Sequence, residues 1–305
     1  MNRIPENEIF LKDVWQEVYS KKWLIISVSC IFTFLAVVLA IKLPNMYKSS
    51  VTLVPNSESQ GNLSSLAKNF GGIASMAGIG FGESSGPDQA TIGIEILKSQ
   101  HFIVKFVRRH ELVIPLMAST SSNPVSFELI IDEDIYDLST NTWRREVEPP
   151  KSAEPTDEEI YKKFVELFEV NQDPKTGFIY ASIEFFSPSI AKDWLELLIK
   201  DINAELRLND KVEAERSIKF LYETLNDVSN NSIKTTIYQL VEEQAKTLML
   251  AEAREEYIFK TISPATMPEK KSKPMRVLIV IAGSIIGGFL SFIYVLIRYF
   301  LNNDS

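Results

Sequence analysis

Cysteine occurs once and histidine twice in the 305 residues. A single thiol, Cys30, forbids any intrachain disulfide, so an oxidising compartment is allowed but not required. His101 and His110 lie nine residues apart, the wrong spacing for one metal-binding helix face, and read as surface or packing residues. The sequence reads as having no Cys/His cluster, no P-loop and no G-x-S-x-G nucleophile elbow. Asp132, Glu133 and Asp134 could meet a hard cation, but the loop pattern of a calcium site is missing, so they read as a solvated acidic turn. Nothing singles out a glycosidase-type pair among the 40 acids. The expectation is a non-enzyme with no catalytic residue, cofactor or metal.

Glycine and proline are absent from Ser189 to Ser263, 75 residues in a row. Each costs a helix interior roughly 1 or 3 kcal/mol, so their absence predicts helix. Pro188 stands where a missing N–H does no harm, with Ser187 as N-cap. One helix of this length would exceed ~100 Å, more than a compact domain needs. Asn226 to Thr236, rich in Asn, Ser and Thr, is the weak point. The segment therefore predicts an outgoing helix, a tip near Asn230 and a return leg: a helical arm over 188–263 with its tip within 226–236.

Basic charge is also scarce. Residues 44–275 hold 25 of the 32 Lys and Arg but 35 of the 40 Asp and Glu, about −10 overall. That argues against nucleic acid, whose binding rests on basic groups releasing counterions. What is abundant is apolar sequence at two places. Trp23 to Ile41 is 19 residues without a charge and Val277 to Ile297 is 21, both matched to a hydrocarbon core of roughly 30 Å. A cleaved signal peptide is the alternative for the first, since Val38-Leu39-Ala40 loosely fits a cleavage site, but the acid-containing leader and long apolar run oppose it. Two spans put both termini on one side. Five basic residues near the termini against six on the facing flanks do not decide which side; the first span favours a cytoplasmic N-terminus.

The chain thus divides into an N-terminal segment 1–22, a span 23–41, a base 42–187, the arm 188–263, a proline-rich lead 264–276, a span 277–297 and a tail 298–305. Phe10, Val14 and Val18 share a helical face at the start, fit for the membrane surface. Tyr47 to Val54 reads as a strand. Gly71 to Gly82 holds five glycines with no Gly-Lys-Ser/Thr after them, so it is read as a close-packing or partner-contacting loop. Pro87-Asp88 opens a helix through about Arg109, with Ile92, Ile96, Ile103 and Val107 on one face. Val125 to Ile131 reads as a strand, Thr156 to Glu159 as a capping box, and Phe178 to Phe185 as a strand. The class expected is α+β: a mixed α/β base, with a mixed sheet and two packed helices, bearing an extended arm and bracketed by two transmembrane helices.

The outgoing leg carries a stripe of Leu195, Leu198, Ile199, Ile202 and Leu206, the return leg one of Ile237, Leu240, Val241, Ala245 and Leu248. Between them, Arg207 to Ser217 has almost no stripe and must be solvated or paired. Narrow stripes suit an arm steadied by side-by-side copies. In the second span Gly283 and Gly287 form a GxxxG that Ser284, Gly288 and Ser291 extend, with Ser29, Thr33, Ala36 and Ala40 as the matching face; glycine is also common in membrane helices for other reasons. Pro264, Pro268 and Pro274 mark the lead into that span.

This layout resembles a known family. Glu8-Ile-Phe-Leu11 ahead of Lys21-Lys22-Trp23, the Tyr47 to Pro55 strand, Ile94-Glu-Ile-Leu-Lys-Ser99 and Ser187-Pro-Ser-Ile-Ala191 are similar to the polysaccharide co-polymerases. These are the O-antigen chain-length determinants called Wzz. Ser263-Pro-Ala-x-x-Pro268 and Ser272-Lys-Pro274 before a glycine-rich span complete the likeness, which covers nearly the whole chain. The resemblance implies an inner-membrane protein of two spans, both termini cytoplasmic and the main domain periplasmic. It implies a closed homo-oligomeric ring or bell that works with the O-antigen polymerase on lipid-linked polysaccharide in lipopolysaccharide biosynthesis. Some relatives fuse to or pair with a tyrosine kinase. Only Arg298 to Ser305 follow the second span here, with a lone Tyr299, which points to the kinase-free class. A co-polymerase for capsule or exopolysaccharide export, working with a transporter, is the alternative; a two-span sensor would need an output module that the eight-residue tail does not provide.

Overall fold

A computed structural model of the chain describes residues 19–56, 89–149 and 151–303. The face of Phe10, Val14 and Val18, the Gly71 to Gly82 loop and the Pro87-Asp88 helix start lie outside the described residues. The elements run α1 (Lys22–Lys42), β1 (Tyr47–Pro55), α2 (Gln89–Lys98), α3 (Gln100–Arg109), α4 (Val113–Ala118), β2 (Ser119–Ser122), β3 (Leu129–Ile131), β4 (Tyr136–Asp137), β5 (Thr142–Trp143), α5 (Asp157–Val165), β6 (Phe168–Gln172), β7 (Ile179–Phe185), α6 (Pro188–Asp227), α7 (Asn231–Ala253), β8 (Phe259–Ser263) and α8 (Arg276–Asn303). They form two compact units: Met1–Asn45 with Lys271–Ser305, and Met46–Lys270.

In the larger unit the sheet runs β6-β7-β1-β8. Every described pairing is antiparallel, not mixed as the sequence reading has it. The β6–β7 hairpin turns on Asp173 to Gly177. There Asp173 accepts from Lys175 N (2.9 Å) and Thr176 Oγ1 (2.8 Å), and Gly177 takes φ +72°, a conformation open to glycine. Those bonds, the Lys175 amide first, hold the Asp173 carboxyl below the ordinary range. The alternation of Ile179, Ala181, Ile183 and Phe185 faces Leu53, Val51, Ser49 and Tyr47 across the β1–β7 register. That face packs on Trp194, Leu195, Leu198, Ile199 and Ile202 of α6, all buried, with the Phe185 and Trp194 rings 4.5 Å apart. At roughly 1.5–3 kcal/mol for each fully buried large apolar side chain, this layer is the main source of the unit's cohesion.

The helix expected through Arg109 is broken in two. Ser99 takes extended backbone (ψ 142°), accepts from Phe102 N at 3.3 Å and donates to Ile96 O at 2.8 Å, capping α3. The break resets the apolar face: Ile94 and Leu97 are buried on α2, while Ile92 is exposed and Ile96 only partly covered. On α3 the expected Ile103 and Val107 are buried, joined by Phe102 and Phe106. Gly93 is a close approach the sequence reading passes over, since a Cβ there would come within 2.7 Å of Phe259 Cζ. The strand expected over Val125 to Ile131 is confined to Leu129–Ile131, because Asn123 caps a turn by accepting from Val125 N at 2.9 Å.

The capping box at Thr156 and Glu159 is formed. Arg145 donates to Glu159 at 2.6 Å, and Lys151 adds an ion pair at 3.3 Å. The Arg145 guanidinium, then the Thr156 amide, holds the Glu159 carboxyl down at about 2. A depressed carboxylate contributes stability above its ordinary value of 4.5, and that share is lost as pH falls toward 2. Glu159→Gln therefore lowers stability at pH 7 and flattens its fall between pH 4.5 and 2, as urea unfolding at several pH values would show. An unchanged slope would remove Glu159 as an acid-sensitive support.

The arm departs at Pro188, with Ser187 as N-cap. Over 40 residues α6 spans about 60 Å, and α7 over 23 about 35 Å. Asn230 starts the return by accepting from Ser232 N at 2.8 Å. The return helix stops at Ala253, not at residue 263. Arg254 is extended, and Phe259–Ser263 joins the sheet as edge strand β8, with Phe259 fully buried. Freedom from glycine and proline permits a helix; burial of Tyr257, Ile258 and Phe259 decides against it here.

Among the described residues, α1 and α8 of the smaller unit are the two helices long and apolar enough to cross a membrane. The second continues to Asn303, beyond the span end expected at Ile297.

Candidate functional site: the helix pair and the root of the arm

The facing surfaces of α1 and α8 are built from small residues. A Cβ on Gly283 would strike the Cβ of Ala36, and one on Gly287 would lie 2.6 Å from Phe32 Cβ and 3.2 Å from Ser29 Cα. Gly288 sits at the margin, its nearest neighbour Ser29 Oγ at 4.0 Å. Close approach lets hydroxyls join the helices: Ser29 Oγ donates to Ser284 O at 3.2 Å, and Thr33 Oγ1 lies 2.8 Å from Ser284 Oγ. Ser291 turns inward on its own helix, donating to Gly288 O, while Ala36 and Ala40 are buried. Two antiparallel helices are thereby locked in one register.

The arm is clasped at its root. Asn203, 3% exposed, accepts from Ile258 N (2.9 Å) and Phe259 N (3.0 Å), and donates to Ile199 O and Phe259 O (3.1 Å each). Further out, Tyr257 Oη donates to Asp210 at 2.7 Å, Lys211 pairs with Glu252 at 3.0 Å, and Arg207 donates to Arg254 O at 3.4 Å. The unstriped stretch of α6 is thus paired by polar bonds, with Ala214 buried among them. Burial pushes the Asp210 carboxyl up despite its tyrosine donor, and burial together with Asp210 raises the Tyr257 phenol. Beyond this clasp the arm exposes Phe220, Tyr222, Ile233, Tyr238 and Met249, with Phe220 at 66%.

The proline lead is divided. Pro264 lines a cleft of about 430 Å³ with Val51, Leu195, Ile199 and Lys200. Ser49 Oγ holds the lead by donating to Thr266 O at 2.9 Å, and Pro268 follows in the same unit, whereas Pro274 belongs to the helix pair.

Residues with chemical potential are otherwise engaged. His110 Nε2 lies 3.0 Å from Asp201 Oδ2, which Arg109 also contacts at 3.0 Å, while Lys105 pairs with Glu205 at 2.6 Å; together they bind α3 to α6. His101 is exposed. Asp132 spends an oxygen on Asp134 N (3.0 Å), and among the described residues no group of three or more His, Cys, Asp or Glu could hold a metal. One string corrects the motif search: Gly82-Glu-Ser-Ser-Gly86 spells G-x-S-x-G. It lies outside the described residues. Asn203 was missed by sequence reasoning; an amide beside the apolar stripe of α6 is the signal that could have found it.

Among the described residues, two helices long and apolar enough to cross a membrane flank in sequence an α+β unit with a long helical arm. Residues 7–110 match the family model described as Wzz, chain length determinant protein, and residues 219–300 match one described as a G-rich domain on putative tyrosine kinase. The first match covers about a third of the chain, so over residues 7–110 the chain is similar to the chain length determinant family. No curated protein matches it in sequence. Among solved structures it is similar to a full-length bacterial polysaccharide co-polymerase, at 12% identity and a TM-score of 0.39 over 96% of this chain and 99% of that one. A fragment of WzzB, the polysaccharide co-polymerase of Salmonella Typhimurium, aligns at 12% identity and 0.29 over 75% and 100%.

Proposed function

We propose that the protein is a non-enzymatic regulator of O-antigen chain length, a homo-oligomeric co-polymerase of the bacterial inner membrane. Both termini are cytoplasmic in this reading, and the acidic sheet unit and arm are periplasmic. Support comes above all from the chain length determinant match over residues 7–110. The apolar side chains left open along the arm, Phe220, Tyr222, Ile233 and Tyr238 among them, fit a second copy laid alongside. The protein acts on the glycan polymerase by assembly geometry, with lipid-linked polysaccharide as the material measured. A deletion strain should lose the modal band of its lipopolysaccharide ladder, read on a gel. An intact ladder would exclude this role.

A second reading, capsule or exopolysaccharide export, is favoured by the G-rich kinase-associated match over 219–300. There the deletion would change surface capsule and leave the ladder alone.

A further inference from the structure

The ends of α1 and α8 remote from the chain termini are crowded with cations. Lys42 closes α1 and Arg276 opens α8, with Lys271 and Lys273 just before it. The helix register brings the first two to one level: Ser29 lies against Gly287, Thr33 against Ser284 and Ala36 against Gly283, so Lys42 extrapolates to about Arg276. Like charges this close repel unless something negative stands between them. Among the described residues Lys42, Lys271 and Arg276 make no ion pair. Two of them converge on one neutral acceptor, Asn45 Oδ1, from Arg276 Nη2 at 3.1 Å and Lys271 Nζ at 3.5 Å. Arg276 Nε is buried with no acceptor at all. A buried guanidinium donor left without a partner is costly, and a tetrahedral oxyanion supplies several acceptors at once.

We propose that Lys42, Asn45, Lys271 and Arg276 form a binding site for the phosphate of a membrane lipid, held where the two spans leave the bilayer. The guanidinium takes two phosphate oxygens, the lysines neutralise its charge, and Asn45 fixes the arginine. Under the topology proposed above these cations stand on the translocated side, against the usual bias of basic residues toward cytoplasmic loops. Phosphate binding supplies the reason for them. The site requires that the two apolar helices lie in lipid and is independent of which glycan is regulated, so an unchanged ladder would leave it standing.

The test is native mass spectrometry of the full-length protein in neutral detergent, titrated with phosphatidylglycerol, phosphatidylcholine or a polyprenyl diphosphate. Phosphatidylglycerol should bind well above phosphatidylcholine and weaken with added salt. Lys42→Gln, Lys271→Gln and Arg276→Gln combined should lower its affinity more than about tenfold, at roughly fivefold for each cation near the surface. Lys271→Arg should bind as the parent does. A further tenfold preference for the polyprenyl diphosphate would name the carrier lipid as the source of the phosphate, and parity would name bulk anionic lipid. Equal binding of phosphatidylcholine and phosphatidylglycerol, or insensitivity to salt in the unaltered protein, would overturn the site even if the triple variant failed to fold.

Discussion

Asn203→Leu should cost the sheet unit about 3–5 kcal/mol. The substitution keeps the volume but removes an amide that serves Ile258 N, Phe259 N and Phe259 O in a 3% exposed position. Stranded buried backbone groups cost roughly 1–3 kcal/mol each, and not all are stranded fully, because β8 retains its ladder to β1. For a body of this size the loss corresponds to a fall in Tm of about 10 °C, measurable by circular dichroism of the full-length protein in detergent. Asn203→Asp keeps the acceptor for both amides but buries a charge, and should be no better tolerated. A fall of under about 2 °C for Asn203→Leu would mean that apolar packing of Phe259 alone holds the return strand, and that the clasp is incidental.

Gly287→Leu should part the two apolar helices. Its Cβ alone enters the space of Phe32 Cβ and the Ser29 backbone, and backbone cannot rotate away. With Cys30→Ser to remove the native thiol, Thr33→Cys and Ser284→Cys should form an intrachain disulfide under mild oxidant, since the parent hydroxyls already lie 2.8 Å apart. Adding Gly287→Leu should cut the yield about tenfold or more, an overpacking cost of order 1–3 kcal/mol. Gly288→Leu is the internal control: with only Ser29 Oγ near it, at 4.0 Å, it should cut the yield far less. Equal yields for Gly287→Leu and the parent would show that the helices do not pack through this face in lipid.

Much of this architecture was legible because local rules act alone in those places. Apolar runs announce α1 and α8, the Thr156 capping box announces α5, and strict alternation announces β7. The arm was legible too, since Asn230 caps where an Asn- and Ser-rich stretch interrupts two striped legs. What escaped depends on partners distant in sequence. Phe259–Ser263 has helix-compatible neighbours and becomes a strand only because β1 offers an edge and Asn203 an anchor. Ser99 splits a helix through a side-chain bond no periodicity reveals. In the helix pair, glycine spacing pointed to a face, but only the register separates Gly283 and Gly287, which touch α1, from Gly288, which barely does.

The sheet order has a consequence for assembly of the chain. β1 emerges early, yet its two neighbours are β7 and β8, and Asn56 N reaches Ile258 O. Until Phe259–Ser263 is made, one side of β1 presents bare amides and carbonyls, while the arm can already zip as a local hairpin of helices. A chain cut short before Phe259 would therefore carry a finished arm above an open sticky edge at Thr52 to Pro55, a template for joining the wrong neighbour. The bulge between Thr52 and Leu53 and the charge of Lys260 guard that border only once the last strand is in place.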